Sequence, residues 1–190
     1  MAYPNLGNMQ GSMYGTTTTP EISPDVQKWF QAVDRDGSGQ ISSGELRSAL
    51  ANGQGGYFSD TACKLMIGMF DKEKIGTINF EEFQALFKYV NSWLTVFKQF
   101  DHDSSGSIQE HELLAAFTQM GYRFSPDFFK YVIQKSDFNR TGSITVDQFI
   151  VLCVQIQKFT EAFRARDTLQ SGEITIAFED FLLVALSCSV

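Results

Sequence analysis

A twelve-residue pattern recurs five times along this 190-residue chain, and it limits the fold more than any other feature. Its copies begin at Asp34, Asp71, Asp101, Asp137 and Asp167, and each carries a Gly at its sixth position and an Ile at its eighth. Two copies are complete in oxygen-bearing side chains. The first offers Asp34, Asp36 and Ser38 at positions 1, 3 and 5, the carbonyl of Gln40 at position 7, and Glu45 at position 12. The third offers Asp101, Asp103, Ser105, the carbonyl of Ser107, and Glu112 in the same places. A loop that turns oxygens inward at alternate positions, bends sharply at Gly and closes with a two-oxygen carboxylate supplies six to eight hard ligands. That donor set suits Ca²⁺. Ser at position 5 is a neutral donor where Asp or Asn is commoner, which weakens affinity without changing the ion.

The other three copies are degenerate in different places. The second keeps Asp71, the carbonyl of Thr77 and Glu82, but Glu73 at position 3 is one methylene long and Ile75 at position 5 has no oxygen. It reads as a weak calcium site at most. The fourth runs from Asp137 through Asn139 and Thr141 to Gln148, so an amide replaces the closing carboxylate. The fifth has Leu169 at position 3 and Phe178 at position 12, with Glu179 one step late. Both read as structural hands without metal.

The spacing between loops alternates long and short, which sets the architecture. The long stretches 46–70 and 113–136 hold breaker residues, Asn52-Gly53-Gln54-Gly55-Gly56 in one and Gly121 with Ser125-Pro126 in the other, so each has room for two helices. The stretch 83–100 contains neither Gly nor Pro and predicts one helix of roughly 27 Å shared by two hands. The stretch 149–166 reads the same way. The fold class is therefore all-α: five helix-loop-helix units with short β pairings between loops, forming two paired lobes and an unpaired fifth hand. The eighth-position Ile residues pair neighbouring loops, and the fifth, Ile174, is left over. An unpaired edge invites a second chain, most simply through a two-fold contact. The last helix, apolar almost all round at Phe178, Phe181 and Leu182, points to the same dimerisation surface.

These loops are EF-hands, and five of them in this layout resemble the penta-EF-hand family over residues 24–190. The runs Gln119-Met120-Gly121-Tyr122 and Phe159-Thr160-Glu161-Ala162-Phe163-Arg164, followed by Asp167-Thr168 and Phe178-Glu179-Asp180-Phe181, are most similar to the branch that carries a long Gly/Pro-rich leader. The resemblance implies a calcium-dependent adaptor without catalysis, acting in vesicle coats, membrane remodelling or ubiquitin-ligase recruitment. It also implies a homodimer, or a heterodimer with another penta-EF-hand protein, formed through the fifth hand. It assigns partner peptides to an apolar groove around Phe87, Tyr89 and Trp93, and gives Arg123 a side chain that moves with calcium. A regulatory subunit of a calcium-dependent enzyme and a calcium buffer are the alternatives; two good loops in five make a poor buffer.

Composition narrows the setting. The net charge of −7, without basic clusters, argues against nucleic acid as a partner. Cys63, Cys153 and Cys188 lie in apolar helical surroundings and read as buried thiols of a reducing compartment. No signal peptide is evident and no apolar run is long enough for a bilayer, so a cytoplasmic protein is expected, with endoplasmic-reticulum or vesicle membranes as calcium-dependent destinations. Residues 1–22, with Gly, Pro and four consecutive Thr, read as a disordered tail, in which Tyr3, Met9, Met13 and Tyr14 offer weak membrane or partner affinity. Residues 23–190 form the folded domain, starting at the cap Ser23-Pro24-Asp25. His102 and His111 occupy non-ligand positions of the third loop, and no nucleophile or base accompanies them.

Overall fold

The computed structural model describes residues 24–51, 55–137 and 140–188. The predicted tail, the cap residue Ser23, part of the first breaker cluster and Asn139 lie outside them. Among the described residues eight helices and four short strands follow one another: α1 Pro24–Val33, β1 Ile41–Ser42, α2 Ser43–Ala49, α3 Asp60–Phe70, β2 Thr77–Ile78, α4 Phe80–Phe100, β3 Ser107–Gln109, α5 Glu110–Gln119, α6 Pro126–Ser136, β4 Ser143–Thr145, α7 Val146–Arg164 and α8 Phe178–Cys188. The stretch without breakers is indeed one helix, α4, and it serves as outgoing helix of the second hand and incoming helix of the third. Helix α7 does the same for hands four and five.

The two lobes are built on antiparallel strand pairs. In the first, Ile41 pairs with Ile78; in the second, Ile108 pairs with Ile144. All four Ile side chains are fully buried, so the strand pair and the core fix each other. Among the described residues, Ile174 joins no strand.

Local chemistry explains where the helices start and stop. Ser125 accepts the Phe128 N–H at 3.3 Å ahead of Pro126, whose fixed φ suits a first helical residue. Helix α5 ends where Gly121 takes φ +91°, letting the Tyr122 N–H reach the Phe117 carbonyl at 2.8 Å. One apolar core then runs through both lobes, with Trp93 and Phe97 of α4 set edge-on against Phe149 of α7.

Candidate calcium centres

All five loops share one backbone design. Position 4 is left-handed in each, at Gly37, Lys74, Ser104, Arg140 and Gln170, although only the first is Gly. Position 6 is also left-handed and is Gly in every loop. A non-Gly residue in that region carries a steric cost, so something must hold it. The position-1 aspartate does. One carboxylate oxygen accepts the position-6 N–H at 2.9, 2.7, 3.0, 2.6 and 2.8 Å in loops one to five. Its other oxygen accepts the position-5 N–H in loops one, two, three and five, and the Thr141 hydroxyl in loop four.

Position 12 closes the loops from the other end. Glu45, Glu82 and Glu112 each accept the N–H of position 2, from Arg35, Lys72 and His102, at 3.1, 2.9 and 2.9 Å. Each also accepts the N–H of position 9, the cap of the outgoing helix, from Ser42, Asn79 and Gln109. This reciprocal cap satisfies helix-end donors that would otherwise be orphaned.

Only loops one and three go further. Among the described residues, Asp34, Asp36 and Glu45 bring carboxylate oxygens within 4.8 Å of one another, and so do Asp101, Asp103 and Glu112. The Ser38 hydroxyl, then its backbone N–H, holds the exposed Asp36 carboxyl below the usual range, and Ser105 does the same for Asp103. Burial pushes Glu45 up, but the hydrogen bonds from Ser42 and Arg35 together bring it below its ordinary value. These acids are therefore ionised at neutral pH, and calcium meets carboxylates without displacing protons. Ser38 and Ser105 hold hydroxyl oxygens beside the Asp34 and Asp101 carboxylates, and Gln40 and Ser107 supply the position-7 carbonyls. An all-oxygen set of this kind fits Ca²⁺. The third loop is the better walled, with Glu112 only 1 % exposed, and Gln109 donates its side-chain amide to Asp103 at 2.9 Å.

The other loops do not converge in this way. In loop two, Asp71 and Glu82 keep their scaffold bonds while Ile75 points to solvent, and Asp71, Glu73 and Glu82 form no such triad. In loop four the Gln148 carbonyl oxygen still accepts the Thr145 N–H at 2.8 Å, but its amide donates to the Ser136 carbonyl at 2.8 Å, away from the loop centre. In loop five, Leu169 and Phe178 are among the most exposed apolar side chains.

The family described as the EF-hand domain pair matches residues 24–88 and again 91–153. Human sorcin is 33 % identical over 199 residues, covering 98 % of this chain and all of its own length. The chain belongs to the penta-EF-hand family. Among its penta-EF-hand relatives, human peflin is 43 % identical over 169 residues, or 88 % of this chain, and zebrafish (Danio rerio) peflin is 40 % identical over the same length. The chain spans about three fifths of the length of those peflins. A solved structure of a homolog of programmed cell death 6 protein from Leishmania major superposes with a TM-score of 0.77 at 32 % identity, covering 86 % of this chain and 94 % of that one. As a penta-EF-hand protein this chain is a calcium-binding protein.

The structure corrects the aromatic groove. Phe87, Tyr89 and Trp93 do not share a surface, because α4 advances 100° per residue and Phe87 faces away from the other two. Tyr89 and Trp93 are buried, stacked edge-on against each other and, for Trp93, against Phe149. Phe87 instead meets the half-exposed Trp29 of α1. Arg123 is exposed on the link between α5 and α6. Of the predicted dimer residues, Phe178, Phe181 and Leu182 are exposed and Ile174 is half-buried, lining an apolar cleft of about 290 Å³ between α7 and α8 with Phe181. The three cysteines are free and buried, as expected.

Two contacts between elements are not visible in the sequence pattern. Arg166 clamps Asp180 with two hydrogen bonds of 2.8 and 2.6 Å, tying the outgoing helix of the fifth hand to the turn that follows α7, where no position-12 acid exists. Asp147, at position 11 of loop four, is buried and reaches the first lobe. A charge at a loop position that normally faces solvent was the available signal for Asp147; nothing local marked the Arg166 pair.

Proposed function

We propose that this protein is a calcium sensor and adaptor, and not an enzyme. It binds Ca²⁺ at loops one and three through Asp34, Asp36, Ser38, Gln40 and Glu45, and through Asp101, Asp103, Ser105, Ser107 and Glu112. It dimerises through its fifth hand, with itself or with another penta-EF-hand protein, and takes up partner proteins when calcium binds. A cytoplasmic protein that moves to endoplasmic-reticulum or vesicle membranes on calcium binding fits this reading.

The observation that carries it is a fifth hand whose apolar helix lies bare in a chain that also holds two carboxylate-lined loops. Phe178 is 76 % and Leu186 74 % exposed, with Phe181, Leu182 and Leu183 between them. A single water-soluble chain rarely leaves so continuous an apolar face uncovered. Sedimentation of the full chain tests it. A dimer at micromolar concentration is expected with or without calcium, and Phe181→Asp with Leu182→Asp should give monomers. A wild-type monomer that also ignores co-expressed penta-EF-hand partners would sink the proposal.

The sensor half of the reading draws on Trp93. Its buried indole Nε1 has no hydrogen-bond partner among the described residues, and such a donor costs about 1–3 kcal/mol. A calcium-bound state in which the position-12 acids draw their outgoing helices inward would relieve it. Trp93 emission should then respond to calcium and not to magnesium; a flat titration would favour a buffer.

A further inference from the structure

Asp147 is a carboxylate with almost no access to water, 3 % exposed, in a hand that has no use for it as a metal ligand. One of its oxygens accepts the hydroxyl proton of Thr145. The other accepts the backbone N–H of Ser59, a residue of the opposite lobe, at 2.9 Å. Ser59 is the cap of α3, its own hydroxyl accepting the Ala62 N–H at 3.3 Å. The buried charge thus sits at the positive end of a helix of eleven residues, where it is favoured. Helices α3 and α7 pack directly against each other there. One turn into α3, burial and, after it, the Asp147 charge push the Cys63 thiol up to about 12, so the carboxylate is felt across the lobe boundary.

This contact lies midway on a continuous path between the two calcium loops. Thr145 is the register partner of Ser107, whose carbonyl is the position-7 ligand of loop three. From Thr145 the path runs through Asp147 to Ser59 and along α3, which ends at Asp71, the first residue of loop two. Loop two pairs with loop one at Ile78 and Ile41, and the Thr77 hydroxyl meets the side chain of Gln40, whose carbonyl is the position-7 ligand of loop one. Hands two and four, whose loops gather no carboxylate triad among the described residues, therefore supply every step between hands one and three.

We propose that Asp147 is a positioning residue that couples calcium binding at loop three to calcium binding at loop one. An ion at either loop fixes its strand pair and, through Asp147, the start or end of α3. The second ion then finds part of that ordering already done, which makes the coupling positive. The inference rests on loops one and three being the calcium sites.

Calorimetry on the full chain tests both and separates them. Glu45→Gln and Glu112→Gln each leave one loop to be measured alone, and comparison with the wild type gives the coupling ratio. A ratio of at least about fivefold is expected, the lower part of the usual range for coupled sites. With Asp147→Asn, and more completely with Asp147→Ala, the ratio should fall toward one while each loop measured alone keeps its affinity within about twofold. A purely structural role would instead lower stability and leave the ratio intact. Asp147→Ala strands the Ser59 N–H; if that variant does not fold, Thr145→Val, which removes only the hydroxyl that aims the carboxylate, should lower the ratio in the same way. A wild-type ratio of one, or a ratio unchanged in the Asp147 and Thr145 variants, overturns the joint, the latter assigning the coupling to the shared helix α4. If Glu45→Gln or Glu112→Gln leaves the number of bound ions untouched, the loop assignment itself fails and the joint with it.

Discussion

Loops three and four are antiparallel partners in one lobe, and their difference separates what folds a hand from what fills it. Both have Asp at position 1 bonded to the Gly N–H at position 6, a left-handed residue at position 4, and a buried Ile at position 8. Both close at position 12 on the cap of the outgoing helix, through Glu112 on Gln109 and through Gln148 on Thr145. Only loop three gathers three carboxylates. One oxygen of the position-12 side chain serves the helix cap, and an amide supplies that oxygen as well as an acid does. The second oxygen of Glu112 accepts the His102 N–H at position 2, whereas in loop four the amide nitrogen in its place donates to the Ser136 carbonyl. A hand can therefore lack the carboxylate triad and keep its shape.

The largest effect that would break this comparison comes from making loop three resemble loop four. Glu112→Gln should remove calcium binding at that loop from the sensor range of about 10⁻⁷ to 10⁻⁵ M, with unfolding temperature and helical content nearly unchanged in calcium-free buffer. A variant that unfolds instead would show that the acid, and not merely an oxygen, holds the cap.

A smaller effect is expected at the other end of a loop without the carboxylate triad. Asp71→Ala leaves the Gly76 N–H without its acceptor at 2.7 Å and frees the left-handed turn at Lys74. It should destabilise the first lobe by about 1–2 kcal/mol in denaturant unfolding, without altering calcium stoichiometry. Loss of a bound ion in this variant would reveal loop two as a third site.

The smallest effect belongs to the fifth hand, where an ion pair stands in for the missing acid. The Arg166 side chain holds Asp180 below its ordinary value of 3.8. A carboxyl lowered in the folded state contributes stability above the unfolded value and loses it as pH falls through the folded one. Hydrogen exchange in residues 167–176, corrected for intrinsic rate, should be constant from pH 7 to about 4 and quicken below the unfolded value of 3.8. Asp180→Asn should show the faster exchange at every pH, with little change in global stability because the pair is only partly buried and at the surface of one hand.

Much of this architecture is legible in the residues alone. Loop starts, the unbroken helix α4, the two strand pairs and both carboxylate triads follow from residue type at fixed spacing, because the bonds that shape an EF-hand loop run between residues at most ten apart. Helix period alone would also have separated Phe87 from Tyr89 and Trp93, three aromatics that look like one cluster only when read along the chain.

The sequence by itself determined the hands, because Asp at position 1, Gly at 6 and an oxygen at 12 bond to their own loop whatever surrounds it. It determined which loops collect charge for the same reason. Tertiary structure alone decided where the lobes meet, which aromatics are core, and what the odd carboxylates do. Asp147 reaches Ser59 across 88 residues of chain, and Trp93 meets Phe149 from another helix. Neither partner is within reach of a local pattern; burial, and the need of each buried polar group for a partner, placed them.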